Sequence, residues 1–151
     1  MTGRELDIAL VDAFGVPGKL TVYAWEDRGK RTKPFTGYTV NTIYEGGPGQ
    51  QWAPLLKWAH GTVVDETGKK YSSLNYPRRF HRDIEPMTDA EALLGDRGLG
   101  EAYVQALWKL VHGDNPDASK SDTSQIYALL IASPETRCRA AITVLTENKD
   151  L

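Results

Sequence analysis

What most constrains this chain lies at its two ends. Leu6, Ala9, Leu10, Ala13 and Phe14 recur at the i, i+3, i+4, i+7, i+8 spacing of one helical face. Thr2 can cap that helix and Gly15 can stop it, so a helix is predicted over about residues 3–14. The closing segment repeats the plan. Ser133 is a good N-cap, Pro134 fits the first helical position and Glu135 suits the positive end of the helix dipole. Cys138, Ala141, Ile142 and Leu145 then form an apolar stripe. Nearly everything between reads as strand or loop, apart from one central helix. Two terminal helices flanking one sheet predict an α+β fold: a single domain, residues 1–151, with an antiparallel β-sheet sandwiched between the N- and C-terminal helices.

The middle fills in that frame. Leu20, Val22 and Ala24 alternate with Thr21, Tyr23 and Trp25, the period of a strand. The polar stretch 26–34 reads as a hairpin loop. A second strand, 35–44, returns to pair with the first, and Gly37 is a candidate bulge in it. Residues 52–60 have no clear period and read as irregular chain or a short helical turn. Thr62–Val64 and Lys69–Ser73 flank Asp65-Glu-Thr-Gly68, whose turn chemistry predicts a third and a fourth strand. Thr88-Asp-Ala-Glu91 opens a helix, Gly95–Gly100 interrupts it, and Tyr103, Ala106, Leu107 and Leu110 mark the central helix up to Gly113. Gln125–Ala132 is an apolar run compatible with a strand.

Composition limits the classes of function. The length, 151 residues, suits one domain, and 40% hydrophobic with 25% charged residues suits a chain that folds unaided. A net charge of -2 supplies no global attraction for duplex nucleic acid or an anionic membrane, so any anion must be bound by a local basic patch. The single cysteine, Cys138, forms no internal disulfide and fits a reducing compartment. The charged N-terminus does not resemble a signal peptide, and no apolar run approaches the ~18 residues of a membrane span. A soluble cytoplasmic protein is expected.

One loop carries chemistry. In Tyr76-Pro-Arg-Arg-Phe-His-Arg82, the guanidinium groups of Arg78, Arg79 and Arg82 are interleaved with the rings of Tyr76 and Phe80. Guanidinium forks bind phosphate in pairs and aromatic faces stack on bases, which suits a nucleotide or an RNA end. The competing reading is a solvated loop whose arginines pair with Asp83 and Glu85. Trp52, beside the glycine-rich 46–49 loop, is a further candidate stacking surface, ahead of Trp58, Tyr38 and Tyr44. The second basic cluster, Arg28, Lys30, Arg31 and Lys33, reads as a hairpin tip. Gly46–Gly49 lacks the Lys-Ser or Lys-Thr pair of a phosphate loop. Gly95–Gly100 is either an anion-binding helix start or an interhelical bend. The three histidines, His60, His81 and His112, are too far apart in sequence to suggest a metal site, no serine sits in a nucleophile elbow, and Cys138 lies on an apolar stripe. No catalytic residue, metal or cofactor is expected.

The closing segment Ser133-Pro-Glu-Thr-Arg-Cys-Arg-Ala-Ala-Ile142 resembles the last helix of the phage ABA sandwich family of small phage proteins, and Gly3-Arg-Glu-Leu-Asp-Ile-Ala-Leu10 resembles its opening helix. The resemblance covers about 25 residues at the two ends. It implies a helix layer, an antiparallel sheet and a second helix layer. It also implies kinship with phage anti-defence proteins that sequester the cyclic nucleotide signals of bacterial immunity. By motif position it carries over Arg139 alone. The expectation that follows is a phage-encoded, non-enzymatic sponge, homo-oligomeric in the host cytoplasm, that holds a small nucleotide-like ligand through Arg78, Arg79, Arg82, Tyr76, Phe80, Trp52 and Arg139. Two other readings stay open: an inhibitor that blocks a host defence enzyme through its aromatic and basic loops, and an enzyme acting on nucleotides or RNA with His81 as general base.

Overall fold

The computed structural model describes residues 3–25, 35–40, 47, 49–113 and 123–148. The α+β class read from the sequence holds. The chain divides into two compact units: Met1–Phe14 with Arg79–Leu151, which is helical, and Gly15–Arg78, which carries the described strands.

The helical unit contains α1 (Arg4–Phe14), α2 (Ile84–Asp96), α3 (Gly100–His112), α4 (Thr123–Leu130) and α5 (Pro134–Glu147). Helix α5 starts where Ser133 predicts it: the serine Oγ accepts the Thr136 amide at 3.1 Å. It is the hub of the unit, packed against α1, α2 and α3. Its buried residues are Cys138, Ala140, Ala141, Val144 and Leu145. The small ones permit close approach, and Cys138 Sγ lies 3.7 Å from the Leu6 carbonyl oxygen of α1. The terminal helices are therefore direct neighbours within the helical unit. Helix α1 buries Leu6, Asp7, Leu10, Val11 and Phe14. Its inner face is thus turned toward Asp7 and Val11 and away from Ala9 and Ala13.

The helix expected at Thr88–Glu91 is α2, which begins earlier, at Ile84, and the central helix expected up to Gly113 is α3, with the interruption at Gly95–Gly100 between them. At their junction Leu99 N donates to Leu94 O at 2.9 Å and Gly98 N to Gly95 O at 3.0 Å, with Gly98 at φ +75°. This is the double bond pattern of a Schellman motif, which needs the left-handed residue that glycine supplies. Gly95–Gly100 is accordingly an interhelical bend. Arg97 from the same bend donates to the Phe14 carbonyl at 2.8 Å and lies over the Phe14 ring, satisfying the C-terminal end of α1. The Gln125–Ala132 run, expected as a strand, corresponds instead to α4 and the turn after it. A short apolar run is ambiguous in period, and here Gln, Ala and Leu outweigh two isoleucines.

In the sheet unit the strands are β1 (Lys19–Trp25), β2 (Phe35–Tyr38), β3 (Leu56–Asp65) and β4 (Lys70–Pro77). All described pairings are antiparallel, and the four strands close on one another in the order β1-β2-β4-β3, with β3 returning to β1. Strands β1 and β2 pair as expected, from Lys19↔Tyr38 to Val22↔Phe35. The other two are longer than expected, because Leu56–Trp58 pairs with Asn75–Pro77 and draws the start of the basic loop into β4. Val22, Val63 and Leu74 form the core, with Leu20, Phe35, Tyr71 and Tyr76 packed around it.

The turn joining β3 to β4 is fixed by Asp65. Its Oδ1 accepts Thr67 N at 2.8 Å, Thr67 Oγ1 at 2.7 Å and Lys69 N at 3.0 Å, while Oδ2 accepts the Tyr71 hydroxyl at 3.1 Å. The Thr67 hydroxyl, with the backbone amides and Tyr71, holds this carboxyl below its ordinary range. Strand β2 meets β4 at Tyr38↔Asn75, where the buried Asn75 donates Nδ2 to the carbonyls of Tyr38 and Val40.

Gly37 is not a bulge. It pairs in register with Leu20, and a Cβ there would overlap the Leu74 side chain. Close approach to a core leucine explains the glycine. Gly37→Ala is expected to destabilise the protein by about 1–3 kcal/mol through this overpacking, read by chemical denaturation. In a Leu74→Ala background the same substitution should cost less than it does in the wild type, because the clashing atoms are already gone.

Candidate functional site

The basic loop crosses the boundary between the two units, so its residues are described with the unit that holds them. In the sheet unit, Tyr76 packs its ring 5.3 Å from that of Phe35 within the core group, and burial pushes its hydroxyl up to about 12. Arg78 donates Nη1 to the Pro54 carbonyl at 2.7 Å, and its amide donates to Leu55 O at 3.1 Å. These bonds tie the end of β4 to the segment before β3. Trp52 closes a single 3-10 turn, Gln50–Trp52, and is half-buried. Arg28, Lys30, Arg31, Lys33 and Tyr44 lie outside the described residues.

In the helical unit the loop becomes a tight turn. Arg82 N and Asp83 N both donate to Arg79 O, at 3.2 and 2.9 Å, which brings the two arginines to neighbouring corners. Between them the chain points inward. Phe80 is fully buried, so it anchors the turn in the core and offers no stacking face, contrary to the expectation for this ring. His81 is fixed twice by one carboxylate: its amide donates to Asp7 Oδ1 at 2.9 Å, and its Nδ1 lies 2.8 Å from Asp7 Oδ2. The imidazole is 21% exposed while the Asp7 side chain is fully buried. Arg4 Nη1, one turn back on α1, also reaches Asp7 Oδ2 at 2.9 Å. A carboxylate only accepts, so the geometry places an imidazole proton on Nδ1, directed at Asp7.

Arg79 is exposed, and Arg82 is 58% exposed. Arg82 forks onto Asp83, with Nε 3.0 Å from Oδ1 and Nη2 3.4 Å from Oδ2. The hydrogen bond from Arg82, with Arg79 and His81 nearby, lowers the Asp83 carboxyl from its usual value, and the same contact raises the Arg82 guanidinium. An exposed pair of this kind is weakly held in water, so a phosphate can compete for the fork. Arg139 pairs with Glu135 at 2.9 Å along α5, a separate surface contact.

The rigid element, Asp7, was not among the residues read from the sequence as functional, and neither was Arg137. Arg137 bridges three places: Nη1 reaches Glu91 Oε2 at 3.1 Å, Nη2 the Leu130 carbonyl at 2.6 Å and Nε the Ala132 carbonyl at 2.9 Å. Tyr103 completes the group by donating to Glu91 Oε2 at 2.5 Å, and burial raises its hydroxyl far above its ordinary value. Cys138 is buried and its thiol is pushed up to about 12, chiefly by desolvation, so it is no nucleophile. Among the described residues no group of three or more His, Cys, Asp or Glu could hold a metal ion, and no helix is long and apolar enough to cross a membrane.

No protein-family model matches the chain, and neither a curated protein nor a solved structure matches it significantly.

Proposed function

We propose that this chain binds a small phosphorylated, nucleotide-like ligand at the Arg79–Asp83 turn and sequesters it, as a phage-encoded protein that silences a cyclic nucleotide signal. The observation that carries the reading is the turn itself. Two exposed guanidinium corners, Arg79 and Arg82, are set on a backbone anchored by Phe80 in the core and by His81 on the buried Asp7. Such a preorganised pair loses little freedom on gripping a phosphate, and a sponge requires grip without bond cleavage. The likeness of both terminal segments to the phage ABA sandwich family supports the phage setting. Of the residues expected at the site, Arg79 and Arg82 are the phosphate ligands of this reading. Arg78, held on Pro54, and Phe80, in the core, act as supports.

A second reading has an observation of its own. A histidine held through Nδ1 by a buried aspartate is the base half of a hydrolytic triad, so His81 can serve as general base toward a bound phosphoester or an RNA end.

One assay separates the two. Thermal-shift screening against cyclic oligonucleotides and cyclic ADP-ribose isomers is expected to find a ligand that adds about 2.7 kcal/mol at a hundredfold excess over Kd. Arg79→Ala should weaken that ligand by about 10- to 100-fold at unchanged unliganded stability. Chromatography of the recovered ligand should return it intact. Turnover that disappears in His81→Ala would establish the enzyme reading, and the absence of any stabilising ligand would overturn the sponge reading.

A further inference from the structure

Helix α4 is built inside out for a surface helix. At 100° per residue, Ile126, Tyr127, Leu130 and the following Ile131 share one face, while Gln125, Ala128 and Leu129 share the opposite one. The second face is half-buried, α4 packs against α3, and His112 Nε2 lies 2.9 Å from the Gln125 carbonyl. The first face is open to solvent, at 46, 61, 66 and 61% exposure for the four residues in order. Beyond its polar first residues, Thr123, Ser124 and Gln125, α4 turns its large apolar side chains to solvent, the reverse of an ordinary surface helix.

This face is held in place. Ile131 N donates to Tyr127 O at 3.1 Å, continuing the helical turn, and Arg137 clamps the Leu130 and Ala132 carbonyls. The four side chains present on the order of 500 Å² of apolar surface, the size of the largest patches tolerated on monomers.

We infer that the Ile126–Tyr127–Leu130–Ile131 face is the two-fold interface between two copies of this chain. Charge and area choose this occupant. Helix α4 carries no Asp, Glu, Lys, Arg or His, so pairing it with itself sets no like charges together. For the same reason it offers nothing to a charged peptide, and it lacks the Lys and Arg that border a lipid-binding helix. Two such faces together bury on the order of 1,000 Å², where specific interfaces begin, so a micromolar dimer is the expected product. Tyr127 lies centrally, as an aromatic anchor does at such contacts.

Sedimentation velocity over about 1–100 μM tests the inference, this range bracketing a micromolar Kd. The wild type is expected to pass from monomer to dimer, and Leu130→Lys to remain monomeric throughout with unchanged circular dichroism and melting temperature, since Leu130 is exposed. Tyr127→Cys should cross-link through a disulfide between copies on mild oxidation, a readout that does not depend on the lysine variant. A wild type that stays monomeric at 100 μM, or a dimer that survives Leu130→Lys, overturns the proposal. So does a monomer that binds phosphatidylcholine vesicles through this face.

Discussion

Asp7→Ala is expected to cost about 2–3 kcal/mol of stability, the range for hydrogen bonds to a charged group whose loss leaves their donors without an acceptor. The carboxylate is fully buried and takes three donors: His81 N, His81 Nδ1 and Arg4 Nη1. With alanine there, the His81 amide and ring lose their acceptors and the turn that aims Arg79 and Arg82 loses its fixed point. For a chain of this size the melting temperature should fall by on the order of 10 °C. Asp7→Asn should fall less. An amide can still accept the His81 N–H with its oxygen, but it then points its own donor at Nδ1 and drives the imidazole to the other tautomer. Imidazole ¹⁵N shifts would show that change directly. An Asp7→Ala variant within about 1 kcal/mol of wild type would mean that the carboxylate does not anchor the turn.

Helix α1 was legible in the sequence and its functional residue was not, for one physical reason. Leu6, Leu10 and Phe14 define its axis of burial, and the flank can be completed either by Ala9 and Ala13 or by Asp7 and Val11. Hydrophobicity favours the alanines, because burying a carboxylate is costly unless it is fully bonded. Only the fold, by bringing His81 to it across the unit, supplies those bonds. A lone aspartate beside an apolar stripe was the only available signal. Caps and turns were readable because their chemistry is local: Ser133 and the Asp65–Gly68 turn are where the residues put them. The basic loop was readable as a cluster of arginines, but not in its alternation of outward Arg79 and Arg82 with inward Phe80 and His81, which depends on packing partners distant in sequence. Helix α4 misled because an eight-residue apolar stretch has no polar face to set a period.

Arg137→Ala is the other substitution with a large expected effect, about 3 kcal/mol. The guanidinium is mostly buried, as is its partner Glu91, and it closes two carbonyl groups at the end of α4 that the helix cannot satisfy itself. Removing it leaves the Glu91 carboxylate in a low-dielectric site with the Tyr103 hydroxyl as its bonded neighbour. Much of the loss is then the cost of a stranded charge, which makes a distinct signature: Glu91→Gln in the Arg137→Ala background should restore stability, although Glu91→Gln alone lowers it. The coupling in that double-mutant cycle is expected at about 1–3 kcal/mol. Hydrogen exchange should show where the anchor acts. Helix α4 buries no residue completely, so its amides depend on α3 and on Arg137, and they should lose protection before those of α5 do. Additive substitutions, or equal loss of protection in both helices, would show that Arg137 contributes packing alone. Because the same clamp presents Leu130, the Arg137→Ala variant should also dimerise more weakly than its residual stability alone would suggest.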